Sequence, residues 1–224
     1  MSTDTGYIHA LRFASLSALY DPVVALTSRE QTFKSALLDG VALEPGQRVL
    51  DIGCGTGTLA CMVAQREPEV EVCGLDGDPA ILERARRKAA ERGVPVRFSH
   101  GMSFQLPFPD NHFDSVLSSL FFHHLNPDAK QRTLAEIFRV LKPAGHLHIA
   151  DWGAAQDPLM RAAFLVIQLV DGFATTQDSV RGKLPGMMEQ AGFNDVHVDG
   201  RFRTMLGTME IVRAKRHASR DASH

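Results

Sequence analysis

The 224 residues suffice for one α/β domain, and a hydrophobic content of 44% with 22% charged residues is typical of a globular core. The formal net charge of -2 provides no strong basic field, so nucleic acid is not an expected partner. No apolar run of about 18 residues and no signal-like N-terminus is present, so we expect no integral membrane segment and no secretion. The three cysteines form no CxxC pair, which predicts neither a disulfide framework nor a metal site and favours a reduced, cytoplasmic protein.

Strand-like and helix-like segments alternate along the chain, which predicts a parallel sheet with helices on both faces. In chain order the predicted elements are strand Arg48–Ile52, helix Thr56–Arg66, strand Val70–Leu75, helix Pro79–Arg92, strand Val94–Ser99, strand Phe113–Ser118, helix Pro127–Leu141, strand Leu147–Ala150, helix Ser179–Gln190, and strands Val196–Val198 and Thr208–Arg213.

Two regions lie outside this alternation. Residues 8–40 are interpreted as two helices separated near Asp21-Pro22, and they form an N-terminal helical cap within residues 1–42. Within a core domain of residues 43–215, an inserted helix at 157–173 is apolar on nearly every side, so it needs to be buried or paired. The basic residues between Arg213 and Arg220 are expected in a frayed, solvated terminus, with a disordered tail at 216–224.

A glycine-rich loop follows the first strand, in the stretch Val49–Gly57. Glycines permit positive φ and close approach of a ligand, and the free N–H groups at the start of the next helix favour an anionic group. The spacing is G-x-G-x-G, and Thr58 stands where the dinucleotide fingerprint G-x-G-x-x-G has its final glycine. The loop therefore suits a nucleoside better than a pyrophosphate, and Asp76, at the end of the second strand, is placed to accept hydrogen bonds from ribose hydroxyls.

These features resemble the class I S-adenosylmethionine-dependent methyltransferases, in particular the small-molecule branch that includes the ubiquinone/menaquinone C-methyltransferases. The matching stretches are Val49–Gly57, Gly74–Asp76, Leu106–Phe108 with Phe113-Asp114, and Arg139–Gly145. The resemblance covers about residues 20–150. It implies a Rossmann-like seven-stranded sheet of order 3-2-1-4-5-7-6 in which only the last strand is antiparallel.

The same resemblance implies S-adenosylmethionine as cofactor and assigns its contacts. The glycines would pass close to the methionine half, Asp51 would face its ammonium, Asp76 would hold the ribose, and Gly77 would lie beside the adenine. A carbonyl near Ser118 would approach the methionine moiety, and Tyr20 would belong to a lid over the cofactor. The implied cofactor residues are Asp51, Gly53, Gly55, Gly57, Asp76, Gly77, Ser118 and Tyr20.

Two positions depart from the family pattern. Where the family often has an acid that accepts from the adenine amino group, this chain has Met102 followed by Ser103, so adenine recognition is expected to use Met102 packing, the Ser103 hydroxyl and backbone groups. Ala144 replaces a glycine that the family usually has in a turn.

The methyl acceptor is expected at the carboxyl ends of the strands, where open α/β sheets bind ligands. His123 and His124 follow the fourth strand and are candidate general bases, with at most one of them facing the substrate. Phe122, Trp152 and Phe164 are candidate walls for the acceptor, although packing in the core explains such aromatic residues about as well.

The sequence therefore predicts methyl transfer to a small, apolar or aromatic molecule. Whether carbon, oxygen or nitrogen is methylated stays open, as does the choice between a pocket and a homodimer face for the apolar helix. A cofactor-binding regulator or inactive homologue is the alternative that is not an enzyme. A nicotinamide oxidoreductase is opposed by the loop spacing, and a methyltransferase acting on base amino groups is opposed by Ser118–Phe121, which replaces the expected Asn/Asp-Pro-Pro-Tyr/Phe signature.

Overall fold

The structure is a computed structural model in which residues 30–218 are described, apart from the side chains of Val170, Asp171 and Ala174. Tyr20 and most of the predicted N-terminal cap lie outside the described residues, as does the end of the tail from residue 219. In this range no helix is long and apolar enough to cross a membrane.

Seven α-helices and seven strands make up the described part of the chain. In chain order they are α1 (Glu30–Asp39), β1 (Arg48–Ile52), α2 (Thr58–Arg66), β2 (Glu71–Asp76), α3 (Pro79–Glu91), β3 (Val96–His100), β4 (Phe113–Ser119), α4 (Pro127–Val140), β5 (Leu141–Trp152), α5 (Pro158–Asp171), α6 (Phe173–Val180), α7 (Leu184–Gln190), β6 (Asn194–Thr204) and β7 (Gly207–Lys215), with a 3₁₀ turn at Phe122–His124 between β4 and α4.

The strands form one sheet of order β3-β2-β1-β4-β5-β7-β6, as predicted. The pairs β1–β2, β1–β4, β2–β3 and β4–β5 are parallel, whereas β7 runs antiparallel to both β5 and β6. The carboxyl ends of β1, β2, β4 and β5 therefore meet along one edge of the sheet, which is the edge that carries the predicted site residues.

Both faces of the sheet are covered, because neighbouring residues on a strand point to opposite sides. Leu50 and Ile52 of β1 pack in a cluster with residues of α4 and α7. Val49, from the same strand, packs on the other side with residues of α1, α2 and α5. This arrangement explains why the central strands are apolar almost throughout.

The predicted single helix at 179–190 is wrong, because the structure divides this region between α6 and α7. Gly172 and Gly182 have φ values of +94° and +60°, a conformation that only glycine adopts without strain and that ends a helix. The inserted apolar helix ends two residues earlier than expected, at Asp171, and α6 folds back against the turn at Phe122–His124.

The frayed terminus predicted from Arg213 is wrong for Arg213 to Arg216. Arg213 and Lys215 lie in β7. Arg216 donates from its backbone N–H to Gly145 O, and its guanidinium donates to the carbonyls of Phe138, Arg139 and Leu141. A cation at the carbonyl end of a helix is favoured by the helix dipole, so this arginine fastens the end of the chain to α4.

Candidate cofactor and acceptor site

The loop between β1 and α2 is held open by glycine backbone geometry. Gly53, Gly55 and Gly57 have φ values of +66°, +52° and +73°. The backbone N–H groups of Gly53 and Cys54 donate to Leu75 O at 2.9 and 3.0 Å, which fastens the start of the loop to β2.

The three glycines face different surroundings. A Cβ at Gly53 would lie 2.2 Å from Cγ of Phe121, and one at Gly57 would lie 2.8 Å from Cζ of Phe98, so the protein itself fills these two positions. A Cβ at Gly55 would meet nothing within 4 Å. Gly55 is therefore the glycine over which a ligand can lie against the backbone.

Asp51 lies beneath the loop and is 1% exposed. Its carboxylate accepts a hydrogen bond of 3.1 Å from the backbone N–H of Ala60, in the first turn of α2. Burial raises the pKa of Asp51 to about 7, against an opposing effect of the nearby Lys34 ammonium. A further cation would therefore stabilise the ionised form of Asp51, which is the role that the resemblance gives to a ligand ammonium.

Asp76 ends β2 beside the loop, as expected. Its carboxylate accepts from the backbone N–H groups of Gly55 at 2.9 Å and Asp78 at 3.0 Å. An ionised carboxylate has about four acceptor positions, so acceptor capacity remains for donors such as ribose hydroxyls. Burial raises the pKa of Asp76, although the backbone hydrogen bonds oppose this shift.

The other predicted cofactor residues lie around the same strand ends. Gly77 follows Asp76, and its carbonyl contacts Nε2 of His100 at 3.1 Å. Met102 is half-buried in the segment after β3. Ser118 is buried within β4, and its hydroxyl donates to Ile52 O at 3.1 Å, which ties the two strand ends together.

The structure does not support the role predicted for the Ser103 hydroxyl. The Ser103 Oγ lies 2.8 Å from Thr133 Oγ1 of α4, and the side chain is buried. This hydroxyl therefore binds to a helix rather than pointing toward the loop. The contact between the Ser103 hydroxyl and adenine has no support in the structure.

Lys88 is a loop-supporting residue that the sequence analysis missed. Its Nζ donates to Thr56 Oγ1 at 2.7 Å and to Thr58 Oγ1 at 2.8 Å, so α3 holds the turn into α2. No local motif indicates this contact, because the partners lie in a different element.

On the acceptor side, His123 is joined to Asp151 at the end of β5. His123 Nδ1 and Asp151 Oδ1 are 2.7 Å apart and both side chains are buried. The other carboxylate oxygen accepts from the backbone N–H groups of Phe121 and His123. Burial alone would raise the pKa of Asp151, but the charge and hydrogen bond of the His123 ring and the hydrogen bond from the Trp152 backbone N–H lower it overall, so Asp151 is ionised and orients the ring.

His124 lies next to His123, with 3.9 Å between ring centroids. Burial and the neighbouring His123 lower the pKa of His124 to about 3. A group with so low a pKa is a weak general base near neutral pH, which disfavours His124, whereas the ring of His123 is oriented by Asp151.

Phe122 and Trp152 are brought together as expected, while Phe164 is not part of the same wall. Phe122 and Trp152 line a pocket beside Asp151. Phe164 is 3% exposed and lies behind Trp152, with 5.6 Å between ring centroids. In the described residues Phe164 therefore supports Trp152 instead of lining this pocket.

The pocket also contains two charged residues that the sequence analysis missed, Lys130 and Asp178. A signal for Lys130 was present, because it occupies a core-facing position in the helical spacing shared with Leu134 and Ile137. A cation in an apolar helical stripe is rarely placed there by packing alone. No comparable signal in the sequence indicates Asp178, because its position in the pocket depends on how α6 folds back against the turn at Phe122–His124.

Comparison with known sequences supports the resemblance to methyltransferases. The profile of a methyltransferase domain family matches residues 49–145. A demethylmenaquinone methyltransferase from Deinococcus radiodurans is 35% identical over 164 residues, covering 72% of this chain and 67% of the relative. A ubiquinone/menaquinone biosynthesis C-methyltransferase from Paraburkholderia phymatum is 34% identical over 204 residues, covering 82% and 83% of the two chains.

Solved structures show the same fold at lower identity. The YcgJ protein from Bacillus subtilis superimposes with a TM-score of 0.68 at 19% identity, covering 82% of this chain and 97% of that one. A methyltransferase from Aquifex aeolicus, described as dependent on S-adenosylmethionine, gives a TM-score of 0.62 at 22% identity and covers 82% and 89% of the two chains.

Proposed function

Because the chain belongs to the class I S-adenosylmethionine-dependent methyltransferases, in the family of the ubiquinone/menaquinone C-methyltransferases, we propose that it methylates a small, apolar or aromatic acceptor of the quinone type. The relatives' names supply the acceptor class, and the apolar side chains of Phe122 and Trp152 near the strand ends support it.

The residues at the loop fit the cofactor. Gly55 leaves open space above the backbone, Asp51 is a buried carboxylate that a nearby cation would stabilise, and Asp76 retains acceptor capacity for ribose hydroxyls. Bound here, S-adenosylmethionine supplies an electrophilic methyl group on a sulfonium. Asp51 would hold the ammonium, Asp76 the ribose, and Gly77 with Met102 would border the adenine.

The protein's own contribution is mainly positioning and exclusion of water. Methyl transfer from a sulfonium is an in-line displacement whose leaving group needs no acid, and alignment of the reactants can remove up to ~7–11 kcal/mol of the barrier. Phe121 lies against Gly53 and so connects the loop with the acceptor side. Where the acceptor must lose a proton, His123, oriented by Asp151, is the residue to receive it.

The observation that carries this proposal is the open position at Gly55 beside Asp76, in a loop that Phe121 joins to the residues around Asp151, Phe122 and Trp152. A regulator or inactive homologue would need the loop but no acceptor pocket. The pairing of His123 with Asp151 at the same edge favours an enzyme.

A screen with methyl-labelled cofactor tests the proposal. Quinols, phenols, lipids and amines are incubated with the enzyme, and products are identified by mass. We expect a labelled product from a quinol or a phenol. Label transferred only to amines, or to none of the four classes, would contradict the proposed acceptor.

A further inference from the structure

Lys34 is a nearly buried cation on the inner side of α1. Its side chain is 9% exposed. It belongs to the buried positions of this helix together with Phe33, Leu37 and Leu38, which pack in one cluster with residues of β1 and α2. A lysine is almost never buried to this extent unless its ammonium is paired. The groups around this ammonium therefore decide what Lys34 can bind.

The position of α1 against α2 places Lys34 at the level of the cofactor loop. Arg66, at the end of α2, donates to Asp39, at the end of α1, at 2.8 Å. Both helices end before a strand begins, so both extend from that edge of the sheet toward the edge where the strands end. With a rise of about 1.5 Å per residue, Lys34 lies about 7.5 Å before Asp39, and Ala60 lies about 9 Å before Arg66. Lys34 is thus beside the first turn of α2.

The charge of Lys34 is felt on both sides of that turn. Burial raises the pKa of Asp51, and the Lys34 ammonium opposes this shift. The Asp51 carboxylate accepts from the Ala60 backbone N–H in the same turn. Burial lowers the pKa of Lys88, and the Arg92 and Lys34 cations lower it further. Lys34 therefore lies close to the carboxylate beneath the loop and close to the lysine that holds the turn into α2.

The partners of Lys34 use only part of its donor capacity. Within residues 30–218, its hydrogen-bond acceptor is the Glu30 carboxylate, one turn earlier in α1, and this side chain is 25% exposed to competing water. An ammonium has three donors. Lys88, the other cation near the loop, already donates to the hydroxyls of Thr56 and Thr58. Lys34 is therefore the cation with donors left for a ligand.

We infer that Lys34 binds the carboxylate at the methionine end of S-adenosylmethionine, while Asp51 binds the ammonium of the same end. This inference rests on the proposed function for the identity of the cofactor. An amino-acid end carries both charges on one carbon atom, so a ligand whose ammonium meets Asp51 brings its carboxylate to the groups next to Asp51. The start of α2, where Gly57 provides no side-chain cap, adds the positive end of a helix dipole at this place.

Two ligands that differ only in the carboxylate test this inference on the wild-type protein. The probes are S-adenosylmethionine and decarboxylated S-adenosylmethionine, with affinities measured by calorimetry. Both have the adenosine, the sulfonium and the ammonium, so their difference isolates the carboxylate. We expect the wild type to bind S-adenosylmethionine roughly tenfold or more tightly than the decarboxylated form, because the latter loses hydrogen bonds between two charged groups.

Three variants then identify the residue responsible for this preference. Lys34→Met should weaken binding of S-adenosylmethionine but not of its decarboxylated form, so the two affinities become similar. Lys34→Arg keeps the cation and should keep most of the preference. Lys142→Met is the matched control, because Lys142 pairs with Asp114 at the start of β4, at the opposite edge of the sheet, and it should retain the wild-type preference.

A purely structural role for Lys34 predicts a different outcome, in which Lys34→Met weakens both ligands alike and the preference survives. That result, or equal binding of the two ligands by the wild type, would overturn the inference. Should Lys34→Met fail to fold, Glu30→Gln decides. Removing the carboxylate that competes for Lys34 should increase the preference for S-adenosylmethionine, and an unchanged or smaller preference would overturn the inference.

The two proposals fail in different ways. If labelled methyl groups never reach a quinol or phenol but the preference for the carboxylate depends on Lys34, the acceptor class is wrong and the role of Lys34 stands. If a quinol or phenol is methylated but the preference for the carboxylate does not depend on Lys34, the role of Lys34 is wrong and the function stands.

Discussion

Gly55 and Gly46 both adopt a positive φ, but they lie in different parts of the chain. Their φ values are +52° and +78°, and an added Cβ at either would meet nothing within 4 Å. Gly46 lies in the turn before β1, away from the loop that ends beside Asp76. The comparison of the two therefore separates backbone strain from ligand contact.

We predict that Gly55→Ala and Gly46→Ala destabilise the fold similarly, by about 1–2 kcal/mol, the cost of a positive φ for an alanine. Only Gly55→Ala should also weaken S-adenosylmethionine binding, because its methyl group occupies the open space above the loop. Thermal melts and calorimetry measure the two effects. Equal cofactor affinity in both variants would remove Gly55 from the binding surface.

Asp51 makes cofactor binding depend on pH. Its pKa is about 7 in the folded chain and 3.8 in an unfolded one, so the folded state holds the proton more tightly. Stability from this group is therefore lost as pH rises between these two values. A ligand ammonium needs the ionised form, so we predict that cofactor affinity rises severalfold between pH 6.0 and pH 7.5.

Asp51→Asn is the control for this pH dependence, because it keeps an oxygen for Ala60 and cannot ionise. Its affinity for the cofactor should be lower and independent of pH over the same interval. A wild-type affinity that stays flat from pH 6.0 to pH 7.5 would show that Asp51 does not face the ammonium.

At the scale of elements, the turn at the start of β5 departs from the family pattern, and we expect this departure to lower the stability of the fold. Ala144 has a φ of +65°, which a residue with a Cβ adopts only with strain. β5 begins at Leu141 instead of the predicted Leu147. Within this longer strand, the pairing with β4 shifts register between Phe113 and Ser115. A bulge of this kind is not visible in an alternation of apolar residues.

We predict that Ala144→Gly stabilises the fold by about 0.5–1 kcal/mol, because relief of the strained φ exceeds the entropy that glycine adds to the unfolded chain. Ala90→Gly, at an exposed position inside α3, should destabilise by a similar amount. Denaturant titrations measure both. A loss of stability in Ala144→Gly would mean that the turn is not strained.

The elements that sequence predicts least well are the ones that build the acceptor side. Strands and helices up to β4 follow from apolar spacing, caps and the glycine loop, all of which are local. The division between α6 and α7 depends on Gly182, whose positive φ is visible only in the folded chain. Lys130 gave a local signal in the stripe of α4, but its contact with Thr175 depends on that division.

For the whole molecule, the strand order was predictable because the resemblance fixed it, and the sheet brings the ends of β1, β2, β4 and β5 to one edge. Asp51, Asp76, Ser118 and Asp151 reach this edge as a result. The charge of the acceptor pocket was not predictable, since its carboxylates and ammonium come from one strand and two helices that are far apart in sequence. The cofactor half of the site could thus be predicted from sequence motifs, whereas the acceptor half depends on tertiary packing.

The most direct test of the central claim is calorimetry of the purified protein with S-adenosylmethionine, its demethylated product and NAD. We predict saturable binding of the first two and none of NAD, with Asp76→Ala weakening cofactor binding by roughly 1.5–3 kcal/mol, the range for hydrogen bonds to a charged group. Saturable binding of NAD without binding of S-adenosylmethionine, or an unchanged affinity in a folded Asp76→Ala variant, would contradict this account of the site.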